Sequence, residues 1–470
     1  MSEAPDTMVV AVIGAGPAGV RACETLARHG VRVILVDEAL KPGGQIYRQP
    51  PVGAERPGVE IYGFEAAKAR RVHHVIPALA GRVDYRPQTL VWNIDKVGDA
   101  FRLDLLRDAK LQTNTVDRVI IATGAVDRVV PFPGWTLPGV FTLGAAQIAL
   151  KSQGVAIGQR IALVGAGPLL PLLAYQYLKA GLKPVAVLDV TPVSAKFGAF
   201  GGLMSQPATL AKGLYYTSKA WLGGAPIWSS VRSIRALGSQ RVTGLSFTMP
   251  GELEREVACD AIAASFGLRS ETQLADLAGC DFEFDSQSHQ WQPKRDSAGR
   301  SSVLGLYLAG DGAAIGGADV AELAGARAAL ALIADNGGTV DRREVAQLDR
   351  RLNRHARFRR ALERAYPFPT HLLDNVDDTT MICRCEGIDA AALRRSVRTQ
   401  EPREVNRLKA FTRIGMGRCQ GRMCGHVAAE ILAQETGVSI AAVGRLRAQS
   451  PIKPLPLTAA LASIELLEVR

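Results

Sequence analysis

The sequence predicts an α/β protein: two Rossmann-like dinucleotide-binding domains, followed by a small helical C-terminal module that gathers most of the cysteines. Three observations carry this expectation. A strand, a glycine turn, a helix and a second strand open the chain; a unit of the same design begins near residue 160; and four of the seven cysteines fall between residues 383 and 424. In both units a short apolar run passes directly into glycines and then into a helical pattern, the order that builds a parallel sheet.

A length of 470 residues fits about three domains. With 47% hydrophobic and 21% charged residues, the chain has the composition of a folded protein, which excludes wholesale disorder. Seven cysteines are too few for a disulfide-stapled secreted fold. The first residues show no basic stretch followed by an apolar one, so no signal peptide is expected and a reducing cytoplasm is the expected compartment. The apolar stretch 161–178 contains Gly165, Gly167, Pro168 and Pro171 and reads as strand, turn and helix, so no transmembrane segment is expected. The net charge of +11 raises the question of nucleic acid. Within 341–364, however, nine arginines alternate with four acids at helical spacing, the pattern of a solvated or partner-facing helix; nucleic acid is not expected as a partner.

In the first unit, residues 9–13 form a strand, 14–19 a glycine turn, 20–29 a helix stopped by Gly30, and 31–36 a second strand. Gly14, Gly16 and Gly19, with Pro17 and Ala18 between, fit G-x-G-x-x-G. The first glycine permits the tight turn, the second lets a pyrophosphate approach the backbone, and the third lets helix and strand pack closely. Asp37 and Glu38 follow the second strand, where a carboxylate binds an adenosine ribose; spacing does not choose between them. Three further motifs accompany the turn. Gly43, Gly44 and Gln45 offer flexible backbone and an amide, a strand over 119–124 ends in Thr123 and Gly124, and a strand over 306–311 ends in Gly310 and Asp311. This ordered set resembles the two-dinucleotide-domain flavoproteins that include thioredoxin-reductase-like enzymes. The resemblance implies FAD, with Asp311 on the ribityl chain and a helix over about 318–329 starting near the flavin.

In the second unit Gly165-Ala-Gly167-Pro-Leu-Leu170 has leucine where the third glycine belongs. Leu170 is expected to hold the helix away from its strand or to demand compensating small residues. Asp189 stands where a ribose carboxylate would, with no basic residue directly beside it in the sequence. NAD(P), another adenine nucleotide and an empty relic all remain open for this domain, with NADP the least favoured. Residues 191–235 are expected to be an irregular excursion.

Cys23, Cys259 and Cys280 stand alone in the sequence, and Cys23, in the first helix, reads as a buried packing residue. Cys383 and Cys385 form C-x-C; Cys419 and Cys424 form C-x₄-C after a gap of 33 residues. Soft thiolates suit zinc or an iron–sulfur cluster, but the C-x-C pair brings two thiolates unusually close and C-x₄-C at a helix start fits poorly to a zinc knuckle. Gly415, Gly417 and Gly421 would let backbone amides approach the sulfurs, and Arg384, Arg413, Arg418 and Arg422 could offset cluster charge. The CRCE sequence and the run from Thr412 to Cys424 resemble the [2Fe–2S] module of bacterioferritin-associated ferredoxin, which implies all four cysteines as cluster ligands. His426 reads as a neighbour of the site and not as a ligand.

Together with the Pro-rich stretch 449–457, nearly the whole chain resembles the α (A) subunits of heteromeric amine and imino-acid oxidoreductases of the opine oxidase, D-hydroxyproline dehydrogenase and cyanide synthase type. The resemblance implies amine oxidation on a smaller glycine-oxidase-like flavoprotein β subunit, electrons carried here by FAD and [2Fe–2S], room for FMN at the junction, room for a small additional subunit, and a downstream acceptor through which the enzyme could meet a membrane. A self-sufficient NAD(P)H-dependent reductase is the alternative. The expected domains are 1–125 with 300–335 for FAD, 126–299 for the second nucleotide-binding unit, 336–377 as a basic helical linker, 378–440 as the [2Fe–2S] module, and 441–470 as an extended tail.

Overall fold

Alternate residues of the first strand, Val9–Ile13, serve two different cores. Val10 and Val12 face the helices Pro17–Arg28, Ala66–Ala78 and Ala318–Asp335, while Ala11 and Ile13 face an antiparallel three-stranded sheet, Thr89–Val97, Ala100–Arg107 and Lys110–Val116. A strand covered on both faces in this way is the centre of a parallel sheet. Its neighbours are Arg32–Val36 and Val83–Arg86 on one side and Arg118–Ile121 and Leu306–Leu308 on the other, all parallel. A computed structural model describes residues 8–374 and 376–459.

The second unit repeats the plan. Its central strand, Ile161–Ala166, lies between Ala186–Asp189 and Ala261–Phe266, with Ile227–Ser229 and Val140–Thr142 at the edges, again all parallel. Leu170 is 2% exposed and packs with Leu143, Leu163 and Leu173, so the position of the missing glycine is part of the core. An antiparallel pair, Ala125–Asp127 with Leu268–Ser270, carries the chain out of the first unit and back. Leu274, Ala275 and Cys280 then pack with Ile13, Ile34 and Val91 of the first unit. The second unit therefore closes near residue 270, not 299, because the helix Gln273–Leu277 buries its apolar face against the first unit.

The excursion at 191–235 is helical over much of its length, with helices Val193–Leu203 and Pro207–Leu222. The basic segment forms the helix Arg342–Ala365, whose first turn is capped by the Asp341 carboxylate accepting from the Arg343 amide. The stretch after it is not a free linker: Leu372, Leu373 and Val376 are buried. The C-terminal module contains a short antiparallel pair, Met381–Cys383 with Ile388–Asp389, and the helices Ala390–Gln400, Val405–Thr412 and Gly425–Thr436. Ile382, Leu393 and Val427 share one continuous core with Val164, Leu188 and Ile262, so the module is seated on the second sheet.

The tail begins later than residue 441, since Ile440–Val443 is a helical turn of the module. It runs back to the first unit, where Ile452 is buried and its amide donates to the Trp92 carbonyl. The remainder of the expected tail, 460–470, lies outside the described residues. Buried Asp276 anchors this return: its carboxylate accepts from Arg445 at 2.6 and 2.8 Å, from Arg447 at 3.1 Å and from the Ala448 amide at 2.6 Å. Burial pushes the Asp276 carboxyl up, but Arg445, the Ala448 amide and Arg447 outweigh it and hold it below the ordinary carboxylate range. A depressed carboxyl stabilises the fold fully above its unfolded pKa of about 3.9 and progressively less as pH falls through the lower folded value. The tail is therefore expected to stay docked at pH 5 and above and to release in stronger acid, with Asp276→Asn weakening its docking at neutral pH. Amide exchange of residues 445–453 measures both effects.

Candidate functional site

Four sequence motifs meet at the carboxyl ends of the first sheet's strands, where ligands of open α/β sheets bind. Gly14 (φ +107°) lies against the strand that ends in the ATG motif: a Cβ there would come within 2.4 Å of the Ala122 carbonyl oxygen. At Gly19 an added Cβ would sit 1.8 Å from the Gly14 oxygen, so this position is a packing requirement. Gly16 differs. Its added Cβ would meet only the Gly44 Cα at 3.8 Å, leaving the crest of the loop bare of side chains. Pro17 and Ala18 begin the helix, and Gly310 lies so close that a Cβ on it would approach the Ala18 Cβ to 2.8 Å. Gly44 (φ +62°) completes the bare surface across from Gly16, while the Gln45 side chain is drawn outward, accepting from Arg48.

The structure separates the two candidate acids. Asp37 accepts from the Ala15 amide at 2.5 Å and the Ala39 amide at 2.6 Å, so its carboxylate lies at the glycine loop. Burial pushes its carboxyl above the ordinary range despite those two amides. Glu38 instead turns away and pairs with Lys453 of the tail at 2.5 Å. At the other motif, Asp311 accepts from the Gly316 and Gly317 amides at 2.8 and 2.9 Å, ordering the loop that leads into the helix Ala318–Asp335.

The cysteine module has its own geometry. The thiols touch in sequence: Cys385 to Cys419, Cys419 to Cys424, and Cys424 to Cys383. The contact with Cys424, helped by the amides of Glu386 and Gly415, lowers Cys383 to about 6; the contact with Cys424 and the amides of Met423 and Gly421 lower Cys419 to about 5. Gly415 (φ +82°) and Gly421 (φ +78°) bring those amides in, and a Cβ on Gly417 would strike the Cys385 Cβ at 2.3 Å. By contrast, burial pushes Cys259 and Cys280 up to about 11 and raises Cys23 further, as expected of inert packing thiols. Among the described residues no three His, Cys, Asp or Glu side chains are arranged to hold a single metal ion. Four soft thiols gathered in this way are the donor set of an iron–sulfur cluster or of zinc.

Of the four arginines near the cysteines, Arg422 and Arg413 are paired with Glu271 and Glu386, and Arg384 lies over the Trp135 ring. His426 points inward, its Nε2 2.7 Å from the Val129 carbonyl oxygen. The Glu271 connection was missed in the sequence. The Glu271 carbonyl oxygen accepts from the Thr123 hydroxyl at 2.7 Å, its amide donates to the Gly124 carbonyl, and its carboxylate accepts from Arg422 at 2.6 Å. Arg422 also donates to the Cys419 and Ile452 carbonyls. One residue thus links the ATG turn to the cysteine loop. Its signal lies in a contact spanning 151 positions, which no local motif records. Both side chains of the pair are 14% exposed. Removing one partner of so shielded a pair costs on the order of 3 kcal/mol. Glu271→Gln is therefore expected to raise amide exchange through residues 413–424 while leaving the glycine loop protected; unchanged exchange there would contradict the linkage.

In the second unit, an added Cβ on Gly165 would sit 1.8 Å from the Ser265 carbonyl oxygen, so that glycine is required by packing, while Gly167 is open. Asp189 accepts from the Thr191 amide and pairs with Lys196. Lys196, seven positions on in the sequence, is the basic partner of Asp189.

A family model described as pyridine nucleotide-disulphide oxidoreductase matches residues 8–199, and one described as BFD-like [2Fe-2S] binding domain matches residues 381–434. The A subunit of opine oxidase from Rhizobium meliloti is 36% identical over 95% of this chain and 86% of its own length. The chain belongs to the family of opine oxidase A subunits. Hydrogen cyanide synthase subunit HcnB of Pseudomonas aeruginosa is 32% identical over 95% of this chain and 97% of its own length. Among solved structures, L-proline dehydrogenase from P. horikoshii shares the fold, with a TM-score of 0.72, 21% identity, and coverage of 96% of this chain and 78% of that one.

This member of the opine oxidase family is accordingly an FAD- and [2Fe–2S]-dependent oxidoreductase and one component of a heteromeric amine oxidoreductase. The residues fit both groups. The bare crest between Gly16 and Gly44 leaves backbone open to a dinucleotide, and the four gathered thiols, of which Cys383 and Cys419 are lowered and Cys385 and Cys424 raised, are the soft donors a cluster takes. Among the described residues no helix is long and apolar enough to cross a membrane.

Proposed function

We propose that this chain is the electron-carrying component of an enzyme that oxidises the C–N bond of an amino acid, imino acid or opine on a companion flavoprotein β subunit. Flavin supplies a two-electron acceptor that can part with electrons singly, and a [2Fe–2S] cluster supplies a one-electron carrier. In this reading Gly14, Gly16 and Gly19 admit the FAD pyrophosphate, the helix beginning at Pro17 faces its charge, and Asp37 takes the adenosine ribose. Thr123, Gly124, Gly310 and Asp311 line the flavin end, and Cys383, Cys385, Cys419 and Cys424 hold the cluster. The observation that carries the proposal is Glu271, which ties the turn at Thr123 to Arg422 inside the cysteine loop and so holds the two redox sites in one frame. The proposal is compatible with FMN at the junction and with a small additional subunit, and it requires a downstream acceptor.

The engaged Asp189 and the core-filling Leu170 support this reading over a self-sufficient NAD(P)H reductase. The test is anaerobic mixing of the purified chain, alone and with its companion, with NADH, glycine, D-hydroxyproline, octopine and nopaline. Flavin bleaching by one of the amines, only with the companion present, is the expected result. Bleaching of the isolated chain by NADH would overturn the proposal.

A further inference from the structure

Two arginines near His426 have no carboxylate of their own. Arg128 is buried, donating to the Ser288 carbonyl at 2.9 Å with its guanidinium against the Phe368 ring. Arg269 stands on the strand Leu268–Ser270, opposite Val126, between the ATG turn and Glu271. Its Nη1 donates to the Arg422 carbonyl at 2.9 Å and lies 3.4 Å from the His426 Nδ1. Arg422 and His426 are the second residues before and after Cys424, so the Arg269 guanidinium is held at the Cys424 turn from both sides. A carbonyl only accepts, so His426 donates to Val129 from Nε2 and turns Nδ1 to Arg269 as an acceptor.

Among the described residues neither Arg128 nor Arg269 forms an ion pair. The neighbouring carboxylates are already taken: Glu271 by Arg422, Glu430 by His289 at 2.5 Å, and Glu363 by Arg359 at 2.8 Å. Burial works against both charges. It pushes Arg128 down to about 9, with Arg269 and Arg359 adding to the effect, and it lowers Arg269, where Glu271 and the Cys424 and Cys419 sulfurs oppose it. A shielded cation without a counter-charge is costly. For Arg269 the negative charge left to meet it is that of the thiolates.

We propose that Arg269 sets the reduction potential of the cluster, its guanidinium favouring the reduced state over the oxidised one, and that His426 is the positioning residue that aims it. The inference rests on the reading of Cys419 and Cys424 as cluster ligands. One electron leaves the reduced flavin, which is oxidised, and enters the thiolate-held iron, which is reduced and gains one negative charge. Arg269 does not release its proton at working pH, so it meets that added charge as a fixed cation. Arg413 provides the contrast. It is 68% exposed and paired with Glu386, so water screens it.

The experiment is an anaerobic redox titration of the complete, iron-loaded chain, read by low-temperature electron paramagnetic resonance. Arg269→Gln, Arg269→Lys, His426→Gln and Arg413→Gln are compared with the natural chain, and iron content and melting temperature are measured on each. Arg269→Gln is expected to disfavour the reduced cluster by about tenfold or more, which is about 59 mV for one electron. Arg269→Lys keeps the charge and should stay within about threefold of the natural chain, as should His426→Gln, whose amide can donate and accept in the same places, and Arg413→Gln. A natural potential in Arg269→Gln would overturn the proposal. So would an equal shift in Arg269→Lys or in Arg413→Gln. If Arg269→Gln loses its iron, Arg269→Lys decides: iron retained at the natural potential supports the charge, and iron lost there too would make Arg269 a structural clamp of the loop and overturn the proposal. A natural chain whose iron gives no reduced-cluster signal at any potential would overturn the ligand reading beneath it.

Discussion

Gly16→Val is expected to empty the flavin site while leaving the fold intact. The prediction comes from the contrast among the three fingerprint glycines. A side chain at Gly14 or Gly19 collides with backbone at 2.4 or 1.8 Å, so those substitutions damage the fold whether or not a cofactor exists. Gly16 has a φ of −72°, which any residue adopts, and its added Cβ has no neighbour closer than 3.8 Å. A valine there occupies the open side of the loop, the side on which a pyrophosphate must approach the backbone. Overlap with so close a contact is expected to lower FAD affinity by about 100-fold or more, whereas the melting temperature of the flavin-free protein should move by only about 2 °C, as for a substitution in open space. Equilibrium dialysis of FAD and calorimetry of the apoprotein separate the two effects. Full retention of FAD would show that the glycine loop serves packing alone.

Cys419→Ser is expected to remove the iron and leave the flavin. Cys419 touches both Cys385 and Cys424 and is lowered to about 5 through its contact with Cys424 and the amides of Met423 and Gly421. A serine oxygen is harder and far more basic than a thiolate, so it is a poor replacement in a soft-ligand site. Loss of one ligand should cost more than the roughly 10- to 100-fold typical of disturbing a group that only supports a ligand. Iron analysis and visible absorbance should therefore show a yellow, nearly iron-free protein with FAD unchanged, because the glycine loop belongs to a separate core. Cys280→Ser is the control: that thiol is buried in a core that holds none of the four clustered cysteines and should leave iron unaffected. Iron retained in Cys419→Ser at the natural level would remove Cys419 from the ligand set.

The parts of the molecule that could be read beforehand are those whose physics is local. A run of alternating apolar residues ending in glycines specifies strand and turn within a dozen positions, and both parallel units formed where expected. The cysteine loop was equally legible, since Gly415 and Gly421 adopt the positive φ that brings amides to the sulfurs. The misreadings share another cause. The stretch 191–235 was expected to be irregular, but its Gly198, Gly201 and Gly202 lie inside the helix Val193–Leu203, where Gly202 provides close approach to Ala361. The second unit was drawn to residue 299 because nothing in the composition marks 270, where a strand pairing hands the chain back to the first core. Asp37 and Glu38 were chemically equivalent until Lys453, 415 positions away, engaged one of them. Long-range partners shape each of these features.

The central claim is that electrons released by amine oxidation reach the iron of this chain through its flavin. It is tested most directly by low-temperature electron paramagnetic resonance on the purified complex, frozen anaerobically after addition of the amine that bleaches it. The account predicts the signal of a reduced [2Fe–2S] cluster with the amine and none with NADH, and loss of the amine-driven signal in Gly16→Val. A bleached companion flavin beside a cluster that stays oxidised, or a cluster reduced as readily by NADH alone, would contradict it.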